Sequence, residues 1–178
     1  DRILNEPTAA AIAYGLTQSE PCNVLVYDLG GGTFDVSIME VKPNALHVIA
    51  TAGDTFLGGE DFDSTIVEYV CNKFFEKNKK QLSRNSATLS VIKEAARQAK
   101  QRLSKRDKTM IAVREAILAD GSKTRLEIEL SRQEVEQLVA PLVDRTLKIC
   151  DIALREAKLS KEKLGDVILV GGQTHMPY

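Results

Sequence analysis

The sequence lacks the features that mark several classes of protein. Its three cysteines lie far apart without a Cys-x-x-Cys pair, which favours free thiols in a reducing compartment over a structural zinc site. No apolar run approaches the roughly eighteen residues of a membrane-spanning helix, and no signal-peptide pattern is present. The net charge of −1 argues against a surface that holds nucleic acid by bulk electrostatics. The 178 residues, 43% apolar and 28% charged, are instead typical of a globular protein with one large domain or two small ones.

The most informative segment of the chain, residues 28–35, reads Asp-Leu-Gly-Gly-Gly-Thr-Phe-Asp and lacks the lysine of a common phosphate-binding motif. No Gly-Lys-Ser/Thr follows the glycines, so the segment is not a P-loop. Three glycines predict a tight turn with positive φ that an anion can approach closely, and Thr33 adds a hydroxyl donor. Asp28 and Asp35 would repel a phosphate unless a divalent cation lies between them. The segment therefore predicts a β-hairpin turn that binds metal-bound phosphate; the alternative is a glycine hairpin with two solvated aspartates.

Three further motifs point in the same direction, although each is weak alone. Glu6 precedes Pro7 at a predicted helix start, where its carboxylate either faces a cation-bound water or favours the helix dipole. Residues 58–61, Gly-Gly-Glu-Asp, open another helix whose N-terminus can hold a phosphate, although the adjacent acids weaken that case. Gly171 and Gly172 follow an apolar strand and predict a second close-approach turn, suited to the flat side of a nucleoside.

Hydrophobic periodicity and turn signals predict a mixture of helices and strands. Helices are expected over residues 8–14, 60–77 and 89–103, and strands over 23–28, 33–42, 45–52, 109–118, 124–130 and 166–170. Pro43-Asn44 is expected to join the second and third strands, and Asp120-Gly121 to turn the later hairpin. Ser131 and Glu134 form a capping box that opens a long amphipathic helix. The first three strands and the last one are expected to form one mixed sheet.

This order of elements predicts two subdomains. Residues 1–56 and 132–178 would form the larger α/β one, and 57–131 an inserted, smaller α+β one. The polar stretch from Lys77 to Ser90 is expected to be a solvated connection. The long helix is expected to kink at Pro141 and to bury Val135, Leu138, Val139, Leu142, Val143, Leu147 and Ala153. Because the chain begins inside the strand-like stretch 1–5 and stops just after a strand, it is interpreted as a piece of a longer polypeptide.

Taken together and in this order, these motifs resemble the ATPase domain of the seventy-kilodalton heat-shock chaperones, within the superfamily of actin, sugar kinases and heat-shock ATPases. The match covers nearly the whole chain and is carried by residues 5–15, 28–37, 52–54, 57–63 and 167–177. The resemblance implies an α/β, actin-like (ribonuclease H-like) lobe with a mixed sheet and an inserted α+β subdomain. It also implies ATP or ADP and Mg²⁺ as cofactors.

The resemblance implies roles for particular residues. Glu6, Thr33 and Asp35 would be catalytic groups near the metal and the attacking water, and Asp28 would bind Mg²⁺ through water. Lys100 and Ser104, four apart on one helix face, would reach the adenosine. The nucleotide-binding set as a whole would be Gly30, Gly31, Gly32, Thr33, Gly59, Glu60, Lys100, Ser104, Gly171, Gly172 and His175.

The chain departs from the family pattern on the nucleoside side. Arg97 stands where the family usually has a glutamate for the ribose, Gln101 where many members have an arginine, and His175 where an arginine usually stacks on the base. A neutral imidazole can stack but lacks the attraction of a cation for an aromatic face. Arg102 can supply a guanidinium by a difference in register, and Arg97 can equally be a solvated helix charge. These departures place the adenine and ribose contacts in doubt and leave the phosphate side intact.

Three functional readings follow. In the first, the chain is the second lobe of a chaperone ATPase that couples ATP binding and hydrolysis to peptide capture and release. Half a cleft should then hydrolyse ATP negligibly, because phosphoryl transfer needs groups from both sides. In the second, it is an inactive module that a nucleotide-exchange factor grips through residues 57–131. The third, another actin-superfamily ATPase, is disfavoured by the matches over 5–15 and 58–63.

The resemblance also sets expectations for partners and location. The parent protein would bind a nucleotide-exchange factor, a J-domain co-chaperone and unfolded polypeptides, the last through a domain outside this chain. Neither nucleic acid nor a membrane is expected as a partner. A cytoplasmic location is expected, with the bacterial cytosol or an organelle matrix possible, and the variable segments look closer to bacterial or organellar members.

Overall fold

The computed structural model describes residues 6–15, 20–42 and 45–178. It divides the chain into two compact units, which are treated separately below. Unit 1 comprises residues 1–59 and 142–175, and unit 2 comprises residues 60–141 and 176–178. The subdomain limits expected from the sequence stay a prediction. The strand-like stretch 1–5 and the turn at Pro43-Asn44 lie outside the described residues.

The elements agree closely with those that the sequence predicts. In chain order they are α1 (Glu6–Gly15), β1 (Cys22–Leu29), β2 (Phe34–Lys42), β3 (Ala45–Asp54), α2 (Gly59–Asn78), α3 (Ser86–Leu103), β4 (Lys108–Ile117), β5 (Lys123–Ser131), α4 (Arg132–Glu156) and β6 (Asp166–Val170), with short 3-10 turns at Lys161–Lys163 and Gly172–His175. The three cysteines are free thiols, as predicted. Among the described helices, none is both long and apolar enough to cross a membrane.

Unit 1 is built on a four-stranded mixed sheet in the order β3-β2-β1-β6, which confirms the predicted sheet. The first three strands are antiparallel, and β6 pairs in parallel with β1. Since side chains alternate along a strand, the two faces of β1 have different neighbours. Val24 and Val26 pack with Ala11 of α1. Tyr27, on the other face, donates a hydrogen bond to Thr146 of α4 with an O–O distance of 2.7 Å. Helices therefore contact both faces of the central strand.

The buried face of α4 differs from the predicted one at Leu147. This leucine is 51% exposed, whereas Thr146 beside it is completely buried. Thr146 tolerates burial because its hydroxyl accepts from Tyr27 and donates to the carbonyl of Val143. The apolar pattern placed Leu147 inside because it gave no weight to a polar residue whose hydrogen bonds are all satisfied. Ala153, one of the predicted positions, is buried.

Unit 2 packs α2, α3 and the start of α4 with the two-stranded sheet β4-β5. Its core is apolar and includes Phe62, Ile66, Val70, Ile92, Ala96, Ile111, Leu126 and Leu130. Along β5, buried and exposed residues alternate, as the sequence predicts for a hairpin with one wet face. The capping box is also confirmed: Glu134 accepts from the backbone N–H and the hydroxyl of Ser131, at 2.8 Å each, and donates its own N–H to that hydroxyl.

The prediction of a solvated connection is correct for Lys79–Gln81 and for Arg84 and Asn85, which are exposed and lie outside the helices. Leu82 is 4% exposed and forms a bridge with Leu118. Helix α3 then begins at Ser86, before the predicted start, because Asn85 is its N-cap and accepts from the N–H of Thr88 at 2.8 Å. The polar residues of this stretch thus include the N-cap of α3, which the spacing of apolar residues cannot reveal.

Candidate functional site

The glycine turn of unit 1 joins β1 to β2. Asp28 and Asp35 are direct cross-strand partners, so both carboxylates flank the turn, as predicted. The N–H of Gly30 donates to the carbonyl of Thr33 at 3.0 Å, which closes a four-residue loop. The predicted positive φ is wrong, because no residue of this turn has one. The glycines instead keep one side of the turn open. A Cβ on Gly31 or Gly32 would meet no atom within 4 Å and would lie on that open side.

The three acidic side chains predicted for this site lie close enough to influence one another. Asp28 is half-buried, and burial, followed by the charges of Glu6 and Asp35, raises the pKa of its carboxyl above the ordinary value. Within the described ranges, no lysine or arginine forms an ion pair with any of the three. Their charges therefore favour a cation in the space they share.

The donors in this group fit magnesium. Carboxylate oxygens are hard ligands, and Mg²⁺ keeps several of its waters when it binds to proteins. In the part of the chain that the structure describes, no cluster of three or more His, Cys, Asp or Glu side chains is close enough to hold a metal directly. An ion held by Asp28 through water is compatible with that arrangement.

Asp35 owes its position to the neighbouring strand. It pairs with Gly53 of β3, and a Cβ on Gly53 would lie 2.6 Å from Asp35 Oδ1. The carboxylate thus lies across the space that a side chain at residue 53 would fill. Sequence reasoning noted the segment 52–54 but not this role, because it depends on the register between β2 and β3.

The loop between β3 and α2 packs directly on the glycine turn. A Cβ on Gly58 would lie 2.5 Å from both Cα and N of Gly32, so the two backbones touch. The N–H of Gly59 donates to the carbonyl of Gly30 at 2.9 Å, and a Cβ on Gly59 would lie 3.0 Å from Gln173 Oε1. Gly59, which is predicted to contact the nucleotide, is therefore hydrogen-bonded to the glycine turn itself.

The second glycine turn lies against the end of β1. Gly171 has a φ of +90°, which confirms the predicted close-approach turn, and a Cβ there would overlap the Leu29 carbonyl oxygen and lie 2.7 Å from Asp28 Oδ1. Gly172 faces open space. His175 is exposed at the end of the 3-10 turn that follows. Unit 1 thus brings the predicted phosphate residues, the carboxylates and Gly171 together.

The other predicted nucleotide residues belong to unit 2. Lys100 is 8% exposed, and its Nζ lies 2.7 Å from Asp63 Oδ1 of α2, a partner that sequence reasoning missed. Glu60 accepts from Lys93 at 3.3 Å. Ser104, half-buried, is the C-cap of α3 and keeps a helical backbone, so it stays one turn from Lys100 on the same helix. Both ion pairs join α2 to α3, so no signal within one segment of the sequence predicted them.

Two arginines considered for the nucleoside side, Arg97 and Arg102, make contacts inside unit 2. Arg97 is exposed and pairs with Glu94 one turn earlier, at 2.7 Å. This is the arrangement of a solvated helix charge, the alternative noted above. The Arg102 guanidinium donates to Thr109 Oγ1 at 3.0 Å and to the Met110 carbonyl at 3.2 Å, so β4 holds it.

Comparison with known proteins gives one consistent result. A family model described as Hsp70 protein matches residues 1–178. The chain is 46% identical over 177 residues to a mitochondrial-type heat shock protein 70 of Encephalitozoon hellem, covering 99% of the chain and 30% of that relative. It is 45% identical over 176 residues to the mitochondrial heat shock 70 kDa protein of Dictyostelium discoideum, covering 99% and 27%. The chain thus spans less than a third of the length of these relatives.

Proposed function

The chain belongs to the Hsp70 family and has a mixed α/β, actin-like fold, and on that premise we propose that it is the second lobe of a nucleotide-binding domain. It would bind ATP or ADP with Mg²⁺. Its parent protein would couple ATP binding and hydrolysis to the binding and release of unfolded polypeptides. The observation that supports this most is the turn at Gly30–Thr33, which is open on one side and flanked by carboxylates without basic partners among the described residues.

In this proposal the phosphates lie at the glycine turn. The backbone N–H groups of Gly31 and Gly32 and the hydroxyl of Thr33 would donate to phosphate oxygens, and Gly30, whose N–H closes the turn on the Thr33 carbonyl, would contact them without that donor. Asp28 would hold Mg²⁺ through water, and the cation would offset the repulsion from Glu6 and Asp35 that, after burial, raises the pKa of this carboxyl. Glu6, Asp35 and Thr33 would position the attacking water.

The nucleoside would be contacted by the remaining predicted nucleotide-binding residues. Gly59 and Glu60 would approach phosphate and ribose, Lys100 and Ser104 the adenosine, and Gly171, Gly172 and His175 the base. The adenosine contacts should be weak, because Arg97 and Arg102 are committed to partners in unit 2. We expect the chain alone to bind nucleotide weakly and to hydrolyse it negligibly, because phosphoryl transfer depends on groups from both sides of a cleft.

Titration calorimetry with Mg–ADP tests the proposal. The wild-type chain should bind, and Asp28→Ala should weaken binding by about tenfold or more, because the metal loses its anchor. Glu162→Ala removes an exposed carboxylate from the 3-10 turn at Lys161–Lys163 and serves as the matched control, with unchanged affinity. Equal affinity of Asp28→Ala and the wild type would refute the phosphate assignment.

A second candidate function is docking of a nucleotide-exchange factor on unit 2. It is favoured by the compactness of that unit, which has its own apolar core and an exposed hairpin face. A J-domain co-chaperone and the polypeptide clients would be partners of the whole protein. Retention of the chain by an immobilised exchange factor, lost on deletion of residues 60–141, would support docking; no retention would refute it. Because the relatives are mitochondrial-type proteins, an organelle matrix or the cytosol is the proposed location.

A further inference from the structure

An ion pair behind the glycine turn has no part in the roles assigned above. Asp54, the last residue of β3, is a largely buried acid whose side chain is 16% exposed. One of its oxygens, Oδ2, pairs with the Arg145 guanidinium of α4, and the other, Oδ1, accepts from the N–H of Phe56 at 2.9 Å. Both oxygens are therefore used within unit 1, one to reach α4 and one to shape the start of the loop that follows β3.

That loop continues to the glycines that touch the turn. Phe56 is 81% exposed, whereas Leu57, the next residue, is completely buried and anchors the loop. Gly58 then meets the backbone of Gly32, and the Gly59 N–H bonds to Gly30. A continuous chain of contacts thus runs from Arg145 through Asp54 and residues 56–59 to the glycine turn.

The energetics favour positioning over stability as the role of this pair. Half-exposed ion pairs contribute little to folding, typically less than about 1 kcal/mol. The side chain of Arg145 is 49% exposed, so solvent screens its charge, although the 16% exposure of Asp54 leaves the pair less screened than one that is exposed on both sides. A shift of the loop, in contrast, is passed directly to Gly32, because a backbone-to-backbone contact leaves no flexible side chain to absorb it.

We propose that Arg145 and Asp54 are positioning residues that hold the 55–59 loop against the glycine turn and so fix the backbone donors for the phosphates. The inference rests on the proposed function and deepens it, since it places a determinant of phosphate binding on α4. Arg145 also neutralises Asp54, whose neighbour across the sheet is Phe34, next to Asp35. The pair thereby keeps a further negative charge from adding to those of Glu6, Asp28 and Asp35.

The experiment compares four chains: wild type, Arg145→Met, Arg145→Lys and Lys161→Met. Methionine removes the charge of Arg145 but keeps an unbranched side chain, and lysine keeps the charge. Lys161→Met breaks the exposed ion pair to Asp151 in the same unit and is the matched control. Three quantities are measured: Mg–ADP affinity by calorimetry, the thermal midpoint, and hydrogen exchange of the Gly59 amide, which reports on its bond to Gly30.

Arg145→Met should lose about tenfold in affinity and exchange the Gly59 amide faster, with a nearly unchanged thermal midpoint. Arg145→Lys should recover part of both losses, and Lys161→Met should match the wild type. Wild-type affinity and exchange in Arg145→Met would overturn the inference while leaving the proposed function in place, provided that Asp28→Ala still weakens binding by about tenfold or more. If the wild-type chain does not bind Mg–ADP, the proposed function fails, and unchanged Gly59 exchange in Arg145→Met would overturn the positioning role as well.

Discussion

One carboxylate in each unit, Glu134 in unit 2 and Asp28 in unit 1, has an environment opposite to that of the other. In unit 2, Glu134 accepts from Lys73 at 2.5 Å and from Tyr69 at 2.6 Å, besides its bonds to Ser131. These contacts, with Lys73 the largest, lower the pKa of Glu134 to about 2. In unit 1, burial and the nearby acids raise the pKa of Asp28 instead. Glu134 of unit 2 thus joins elements of the fold, whereas Asp28 of unit 1 lies beside like charges.

The difference is the one expected between a structural acid and an acid proposed to bind a ligand. A fold optimised only for stability would place a lysine or arginine beside Asp28, as unit 2 places Lys73 beside Glu134. An arrangement that costs stability in the free protein and gains it when a cation binds is typical of functional sites. The comparison therefore supports the metal-phosphate assignment by a route that does not depend on the family.

The largest effect is expected from closing the space between Gly171 and β1. Gly171→Ala should destabilise unit 1 by about 3 kcal/mol or more, because alanine resists a positive φ and its Cβ would overlap the Leu29 carbonyl. Gly172→Ala is the control, since it faces open space, and should stay near the wild-type stability. Urea unfolding of the two variants checks this. Equal midpoints would mean that the end of β1 at Asp28 and Leu29 can rearrange to accept a side chain at residue 171. The environment of Asp28 would then be less fixed than the comparison with Glu134 assumes.

A smaller loss is expected when the acid of unit 2 is removed. Glu134→Ala should lower stability by about 2 kcal/mol, because the helix cap and the Lys73 partner are lost together. Glu134→Gln keeps the capping geometry and should lose about half of that. Since the folded pKa is depressed, the stabilisation by Glu134 is present above its ordinary value of 4.5 and is lost as the pH falls towards about 2. Unfolding measured from pH 2 to 7 should show this slope in the wild type and a weaker one in Glu134→Ala; identical slopes would contradict it.

The smallest effect is expected to have the opposite sign. Asp28→Asn should raise stability at neutral pH by about 0.5 kcal/mol while it weakens Mg–ADP binding, because it removes the repulsion from Glu6 and Asp35. A raised folded pKa means that the penalty is absent at low pH and appears as the pH rises through the ordinary value of 3.8. The gain should therefore vanish near pH 3. Destabilisation by Asp28→Asn at pH 7 would show that the negative charges of Glu6 and Asp35 do not make the ionised Asp28 carboxylate unfavourable in the folded protein.

Local signals made most of this fold predictable. The strand pattern around Asp28 and Asp35, together with the glycines between them, is enough to predict the hairpin and its cross-strand pair. The capping box of Ser131 and Glu134 likewise lies within four residues. In two places where the predicted elements or burial were wrong, the determinant was a polar side chain with a specific partner: Asn85 at the start of α3 and Thr146, which accepts from Tyr27.

The parts of the site that could not be predicted depend on contacts between segments far apart in sequence. Gly58 and Gly32, which are in contact, are 26 positions apart in the sequence, and the paired residues Asp54 and Arg145 are 91 positions apart. The adenosine contact of Lys100 stays a prediction, and its ion pair with Asp63, which the sequence did not indicate, follows from how α2 packs on α3. A motif names the residue types of a site, and only the packing of distant elements fixes which partner each side chain has.

The space above Gly53 has a consequence for how this protein can vary. Asp35 occupies a volume that exists only because residue 53 has no side chain, so the two positions are mutationally coupled. Any residue larger than glycine at 53 would displace the carboxylate of Asp35 without touching the site sequence itself. In a mutational scan, position 53 should therefore score like a site residue, although it carries no reactive group.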